Sequence, residues 1–322
     1  MQTNQLVLQE LSSSDHPISG EQLARKLSVS RTAIWKAIKT LKQKGYEIES
    51  KPHVGYKYND NGRLNEFVIR RCLTADTNKL LTFEIHDKIT STNARAKELS
   101  INSATKLPLV IIGDQQTAGY GRYGRVFSSP NTGIYLSLLL NNSSPSLNPG
   151  LLTTATATAV ARTIEKKLHV EPSIKWVNDI LIDETKVVGI LTEGIADIES
   201  RYIKQIVVGV GINYSTDITS MSPELQQRAG SLRNFAEEYS VSRNEFIAAF
   251  LQEFFLLYPN YESGEFLTYY RAHSAVLHKK VTVTQGQYQF SGYVEQINRQ
   301  GEIVLDDGTT LASGEVTKIR LS

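Results

Sequence analysis

Apolar residues recur along this chain in two rhythms, and the switches between them mark out its elements. Between Arg31 and Lys44, Ile34, Ala37, Ile38 and Leu41 stand at i, i+3, i+4 and i+7, one stripe of a helix that stops at Gly45. Upstream, Leu6, Leu8 and Leu11 mark a short helical pattern, and Ser19-Gly-Glu-Gln22 is a capping box opening a second short helix through Leu27. Ser28-Val-Ser30 is the turn between second and third helices, with Ser30 placed as an N-cap. Tyr46–Ser50 and Val54–Tyr58 are strand-like runs flanking Lys51-Pro-His53. Helices followed by such a hairpin predict a winged helix-turn-helix.

Asn59-Asp-Asn-Gly62 is polar and turn-rich, a linker, and Leu64–Leu73 reads as a short joining helix. Strands and helices then mix. Strands are predicted at Leu81–His86, Leu109–Gly113, Gly133–Leu140, Ile180–Asp183, Val187–Ala196 and Lys204–Asn213, and helices at Thr92–Leu99, Leu151–Leu168 and Arg243–Tyr258. The last stretch holds only short strands, at Lys280–Thr284, Gln289–Ile297, Glu302–Leu305 and Thr317–Leu321, with Gln285-Gly286, Arg299-Gln-Gly301 and Asp306-Asp-Gly308 as hairpin turns. That spacing suits a small barrel. The expected fold class is α/β of the α+β kind in three domains, bounded at 1–62, 63–273 and 274–322, and a length of 322 residues agrees with two or three. There is no internal repeat and no low-complexity tract.

Charge changes the picture in one place. The chain carries 35 basic and 33 acidic residues and is no polycation overall. Residues 25 to 44, however, contain Arg25, Lys26, Arg31, Lys36, Lys39, Lys42 and Lys44 and no acid, a local charge of +7. A polyanion partner is expected for that segment only. No basic-then-apolar leader pattern opens the chain, and no apolar run approaches the roughly 20 residues needed to span a bilayer. The single cysteine, Cys72, excludes an intrachain disulfide framework and a cysteine-built zinc site; it reads as a core residue at a helix end. A reducing cytoplasm fits.

Candidate chemistry gathers in a few motifs. In Gly119-Tyr-Gly-Arg-Tyr-Gly-Arg125, glycines let the backbone approach a ligand closely, and arginines offer permanent charge and a planar donor fork for carboxylate or phosphate. Arg122 and Arg125 could converge on one anion, or the stretch could be a surface turn with solvated arginines. In Lys175-Trp-Val-Asn-Asp179 the lysine can neutralise a phosphate and the Asn178 and Asp179 oxygens can hold Mg²⁺, although Asn-Asp also makes a plain Asx turn. Lys186 opens an apolar strand and could simply snorkel to solvent. Gly209-Val-Gly-Ile-Asn213 ends another strand, where Asn213 is a strand stop or a ligand for the same metal or phosphate. Ser91, Thr92 and Asn93 could read a polar head group, or Thr92 could only cap the next helix.

In this order the motifs, with Lys186-Val-Val-Gly189 and the N-terminal helix-turn-helix, resemble the biotin–protein ligases, in the bifunctional bacterial form that is also a biotin operon repressor. The resemblance covers essentially the whole chain. It implies a central biotin/lipoate-ligase-type mixed-sheet domain and an SH3-like last domain. It implies that Ser91, Thr92, Asn93 and Gln116 hold the biotin ureido ring, that Tyr120, Gly121 and Arg122 close over the biotin carboxylate and adenylate, and that Lys186, beside Gly189, meets the carboxylate and α-phosphate. Lys175, Asn178, Asp179 and Asn213 fall in the nucleotide and Mg²⁺ environment, with Asp179 and Asn213 the metal candidates. Arg125 joins the ATP set, Phe127 matches the position that faces adenine, and Arg320 matches an arginine reaching the nucleotide from the last domain. Arg122, Lys186 and Lys175 are the expected catalytic cations. On the DNA side Gly20, Ser30, Arg31, Thr32, Trp35, Lys36 and Lys39 are the candidates, with the helix from Arg31 in a major groove and the wing around His53 near an adjacent one.

The implied substrates are biotin and ATP with Mg²⁺, and biotinyl-AMP is both intermediate and corepressor. The implied partners are the biotin carboxyl carrier domain of acetyl-CoA or pyruvate carboxylase, operator DNA, and a second copy of the chain when biotinyl-AMP is bound; no membrane is expected. The chain departs from the family pattern at Tyr120 and Phe127, where arginine and tryptophan are usual, and at Val177, where proline is usual and a looser turn is expected. A lipoate–protein ligase and a biotin-sensing repressor with decayed ligase activity remain alternatives.

Overall fold

The computed structural model describes residues 2–102, 104–142, 147–196 and 202–320, Arg320 in its backbone alone. The chain forms two compact units: 1–78 with 242–248, and 79–241 with 249–322. No helix among the described residues is long and apolar enough to cross a membrane.

The first unit holds α1 (Thr3–Ser12), α2 (Gly20–Leu27), α3 (Arg31–Gln43), β1 (Glu47–Lys51), β2 (Gly55–Asn59) and α4 (Glu66–Cys72). The capping box forms as expected: Gln22 N donates to Ser19 Oγ at 3.1 Å and Ser19 N to Gln22 Oε1 at 2.9 Å. Ser28, in left-handed conformation at φ 54°, ends α2. Ile34, Ala37, Ile38 and Leu41 of α3 are buried as one stripe against Val7, Leu8 and Leu11 of α1 and Leu23 of α2. The helix marked by Leu6, Leu8 and Leu11 forms; its buried set is Val7, Leu8 and Leu11, with Leu6 half-exposed, and it packs against both α2 and α3. β1 and β2 pair antiparallel, and Ile18 bridges to Tyr56 at the hairpin's base. Gly55 at φ 129° is required there, since a Cβ would collide with the Ile18 carbonyl.

The polar stretch after β2 is held, not loose. Asn244, buried, donates to Asp60 Oδ1 and Arg63 O and accepts from Asn65 N at 2.9 Å, and Arg243 Nε donates to Gly62 O at 2.7 Å. Cys72 ends α4, half-buried against the first core.

After α5 (Ala75–Leu80) the second unit is built on β3 (Thr82–His86), α6 (Thr92–Ser100), β4 (Leu109–Gly113), β5 (Ile134–Asn141), α7 (Pro149–Leu168), β6 (Ser173–Lys175), β7 (Asp179–Ile182), β8 (Thr185–Ala196) and β9 (Ile203–Ile212). These strands form a seven-stranded sheet in the order β3-β4-β5-β9-β8-β7-β6, parallel only between β3 and β4. α6 packs on β4, β5 and β9 through Ala96 against Ile111, Leu139 and Val207. α7 lies on β8, where the Thr153 and Thr192 hydroxyl oxygens stand 2.8 Å apart. Glu193, the next residue along β8, therefore points to the opposite face. α7 is buried almost all round; its threonines 153, 154, 156, 158 and 163 are tolerated there because each hydroxyl donates back to a helix carbonyl.

The chain continues through α8 (Pro223–Gln226), α9 (Arg233–Glu238), α10 (Arg243–Leu257) and α11 (Leu267–Ala272). It ends in β10 (Lys280–Gln285), β11 (Tyr288–Ile297), β12 (Ile303–Leu305), β13 (Thr310–Leu311) and β14 (Glu315–Arg320), an antiparallel sheet ordered β13-β12-β11-β10-β14 around Val281, Val283, Val294 and Val316. The fold is thus mixed α and β: a helix-turn-helix, a mixed central sheet and a small SH3-like terminal sheet. The predicted last strand's Leu321 lies outside the described residues.

Candidate functional site

The site's floor is one face of β5, β9 and β8. Ser137 lies opposite Gly209, Tyr135 opposite Gly211, and Gly211 opposite Gly189, so three glycines fall on neighbouring strands. The sequence left the glycines of Gly209-Val-Gly-Ile-Asn213 without a role, and the packing supplies one. A Cβ on Gly209 would collide with Asn93 Oδ1, and one on Gly211 would stand 2.6 Å from Phe127 Cε1. Glycine here is a demand for close approach.

One wall is the start of α6. Ser91 caps the helix by accepting from Ala94 N at 3.4 Å. Thr92 donates through its amide (2.9 Å) and hydroxyl (3.1 Å) to Gln116 Oε1, whose Nε2 donates to Ser129 Oγ at 2.9 Å. Ser137 Oγ is 2.6 Å from Asn93 Oδ1 and 2.8 Å from Thr92 Oγ1, so one hydroxyl proton serves two acceptors. Ser91, Thr92 and Asn93 are buried. The cap falls to Ser91, while Thr92 faces the network.

The glycine–arginine segment is a hairpin: Phe127 N donates to Gly119 O at 2.9 Å and Gly121 N to Arg125 O at 2.8 Å. At its tip Tyr123 (φ 58°) and Gly124 (φ 70°) take left-handed conformations. The two arginines turn to the last sheet instead of converging. Arg122 Nη1 donates to Gly314 O at 2.7 Å and Asn178 Oδ1 at 3.3 Å, and Arg125 pairs with Glu315. The Arg125 hydrogen bond, with burial opposing and the charges of Arg125, Lys175 and Arg122 assisting, holds the Glu315 carboxyl below its ordinary value. Phe127 packs edge-on to Tyr135, 6.3 Å between ring centres, and covers Gly189 and Gly211.

The far wall is the β6–β7 hairpin, which sets Lys175 opposite Asp179. Lys186 does not snorkel away: its Nζ stands 2.6 Å from Asp179 Oδ1. This contact is an ion pair off hydrogen-bond alignment, so Asp179 Oδ1, buried, accepts no hydrogen bond. Asn178 Nδ2 donates to Ile190 O at 2.9 Å, and Tyr270 OH to Val177 O at 3.3 Å, so the turn is held despite Val177. Asn213 spends its amide nitrogen on Gly230 O (3.0 Å) and Lys186 O (3.4 Å), leaving only Oδ1 for a ligand.

These walls enclose a cavity of about 890 Å³, within the range of small-molecule sites. Every biotin- and ATP-site residue expected from the sequence lines it except Arg320, whose side chain lies outside the described residues. Sequence reasoning missed Ser129, Ser137, Glu193, Lys97 and Glu315. Ser137 was findable as the one polar residue inside the apolar run Ile134–Leu140, and Lys97 as the residue one helical turn beyond Asn93. Among the described residues, no group of three or more His, Cys, Asp or Glu could hold a metal.

In the first unit the DNA candidates sit together on α3 and its flank. Ser30 Oγ accepts from Ala33 N at 3.1 Å, so its hydroxyl serves as the N-cap. Arg31, Thr32, Trp35, Lys36 and Lys39 are exposed, Trp35 to 53%, and Lys39 stands 5.3 Å from the Trp35 ring centre. Gly20 opens α2 beside the Tyr56 ring.

Comparison with known proteins agrees with this assembly. Residues 3–57 match an HTH domain, and residues 86–213 match the Biotin/lipoate A/B protein ligase family. The chain is 39% identical over 224 residues to the bifunctional ligase/repressor BirA of Bacillus subtilis, covering 69% of this chain and 67% of that one. It is 27% identical over 303 residues to BirA of Escherichia coli, covering 89% and 88%. The biotin protein ligase of Aquifex aeolicus in complex with biotin and ATP superposes with a TM-score of 0.61 at 25% identity, covering 75% of this chain and 99% of that one. The chain belongs to the family of bifunctional ligase/repressors of the BirA type.

Proposed function

We propose that this protein joins biotin to a lysine of a biotin carboxyl carrier protein in two steps, and that its first unit represses transcription from operator DNA. In the first step a biotin carboxylate oxygen bonds to the α-phosphorus of ATP and pyrophosphate leaves, giving biotinyl-AMP. In the second an acceptor lysine amine attacks the carbonyl carbon of that anhydride and AMP leaves; no nucleophile from this chain is needed. The observation that carries the reading is that Arg122, Arg125, Lys175 and Lys186 line the same cavity as the uncharged Ser91–Thr92–Asn93–Gln116 set.

Both reactants are anions, so the chemistry rests on positioning and charge stabilisation. Lys186 leaves Asp179 for the carboxylate and α-phosphate, Lys175 faces the phosphates, and Arg122 retains the adenylate. Ser91, Thr92, Asn93 and Gln116 hold the ureido ring, and Tyr120 and Gly121 close with Arg122 over the biotin carboxylate and the adenylate. Phe127, packed on Gly189 and Gly211, faces adenine. Asp179 Oδ1 and Asn213 Oδ1 suit Mg²⁺, which takes few protein ligands and fills its remaining positions with phosphates and water; bound there it would screen the phosphate charge. The loop's closure excludes water from an anhydride that hydrolyses readily.

On the DNA side, Arg31, Thr32 and Trp35 meet bases or phosphates and Lys36 and Lys39 meet phosphates. Biotinyl-AMP is the corepressor, favouring a dimer on a two-fold operator. The test is pyrophosphate release from MgATP with biotin, lipoate and octanoate in parallel. Release with biotin alone is expected; release with lipoate alone would overturn the assignment, and silence with all three would leave a repressor without ligase activity. Titrating operator DNA with and without biotin and MgATP tests the second half, with tighter binding expected when both are present.

A further inference from the structure

Three donors from two separate segments converge on one carboxylate, Glu193 of β8. Asn93 Nδ2 donates to its Oε2 at 2.8 Å, Lys97 Nζ to its Oε1 at 2.6 Å, and the Tyr120 hydroxyl to Oε2 at 3.2 Å. Asn93 and Lys97 are one turn apart on α6, and Tyr120 comes from the glycine–arginine hairpin. Lys97 also stands 5.5 Å from the centre of the Tyr120 ring. The hairpin's own hydrogen bonds fix its shape; the Tyr120 contact fixes its base to the sheet and to α6. Asn93 in turn holds Ser137 and covers Gly209, so the same carboxylate reaches the cavity floor.

We propose that Tyr120 is a positioning residue that anchors the loop over the cavity through Glu193 and Lys97. The charges favour a neutral group here. Lys97 and Glu193 already balance one another, and a cation at 120 would stand beside the Lys97 ammonium. Burial pushes the Tyr120 phenol above its ordinary value, with Lys97 opposing and Glu193 adding to the rise, so the hydroxyl remains a donor through the neutral range. Burial works against the Lys97 ammonium, but its bonds to Glu193 and Tyr120 outweigh that and raise it, so it stays charged. The hydroxyl bonds an ionised acceptor in a half-buried setting, the stronger class of hydrogen bond. Arg122 and Arg125 hold the hairpin's tip to Gly314 and Glu315, so the Tyr120 bond adds a second attachment at its base. The kinetic part of this inference rests on the ligase reading; the structural part does not.

The test uses the full chain and two near-isosteric variants, Tyr120→Phe and Glu193→Gln. In ligand-free protein, trypsin cleavage after Arg122 or Arg125, identified by mass, should be roughly tenfold faster in each variant. The double variant should be no faster than Glu193→Gln alone, because that variant already weakens the acceptor of the bond that Tyr120→Phe deletes. With biotin and MgATP but no acceptor, pyrophosphate turnover limited by escape or hydrolysis of the adenylate should rise in Tyr120→Phe, while the biotin KM changes less. A conservative rescue separates anchoring from mere packing: Tyr120→Arg should loosen the loop with Lys97 present and restore protection in the Tyr120→Arg/Lys97→Ala pair. Wild-type cleavage rates in Tyr120→Phe, or additive effects in the double variant, would overturn the proposal. Absence of pyrophosphate release from the wild type would overturn the ligase reading alone, since the cleavage result is read without substrates.

Discussion

Along α3, Arg31, Lys36 and Lys39 stand exposed in a stretch that contains no acid from residue 25 to 44. In the cavity, half-buried Lys186 faces Asp179, and nearby half-buried Lys97 faces Glu193. The difference follows from solvent. An exposed cation is neutralised by mobile counterions, and a polyanion binds by releasing them. A half-buried cation cannot rely on counterions, so the fold supplies a carboxylate that an anionic ligand must displace. Two consequences separate the regions. Effects on α3 should be roughly additive and strongly salt-dependent, whereas effects in the cavity should couple through shared partners and respond weakly to salt.

Four substitutions would break or sharpen that contrast. The largest effect is expected from Lys186→Met, which removes a charge from the reacting centre and leaves the buried Oδ1 of Asp179 without its partner. Biotin-dependent pyrophosphate release should fall roughly 10²–10³-fold, by a factor that changes little between low and moderate salt; a loss that salt abolishes would put Lys186 in the α3 class. Next is Gly209→Val, which drives a branched side chain into Asn93. Overpacking of this kind costs about 1–3 kcal/mol, and biotin affinity by calorimetry should drop roughly ten- to a hundredfold; unchanged binding would show that the floor yields.

Arg31→Ala should weaken operator binding roughly tenfold and lower the slope of log affinity against log salt by about one for each phosphate that the arginine neutralises. Pyrophosphate release should be unchanged, and a salt slope equal to wild type would remove Arg31 from the phosphate-binding set. The smallest effect belongs to Glu315→Gln, a few-fold change in adenylation from freeing a partly exposed Arg125. The sign with pH is fixed by the depressed Glu315 carboxyl. Its contribution is fully present above the ordinary carboxylate value and is lost as pH falls through the lowered folded value. The variant-to-wild-type ratio should therefore be flat between about pH 6 and 8, and a ratio that changes within that window would mean another group governs Arg125.

The first unit was legible almost residue by residue. The stripe Ile34, Ala37, Ile38 and Leu41, the Ser19 box and the Ser30 cap all depend on partners within a few positions. What escaped there was the pinning of Asp60, Gly62 and Arg63 by Arg243 and Asn244, a contact across some 180 positions that no local pattern encodes. In the second unit the long strands and α6, α7 and α10 were readable. Short elements such as α8 and α9 were not, because four to six residues carry too little periodicity to stand out.

By itself the sequence determined which residue types were available and in which order: the acid-free basic helix, the glycine–arginine loop, and the lysines, asparagines and aspartate of the later motifs. Local backbone chemistry and helical or strand period suffice for that, since they act over one to seven positions. Only the tertiary structure decided which of those residues share a cavity and what they touch. It turned Arg122 and Arg125 toward Gly314 and Glu315, set Phe127 on two glycines, and gathered Asn93, Lys97 and Tyr120 on Glu193. Those pairings join positions about 60 to 190 apart, brought together by the register of β5, β8 and β9 on one side and by the start of β14 on the other.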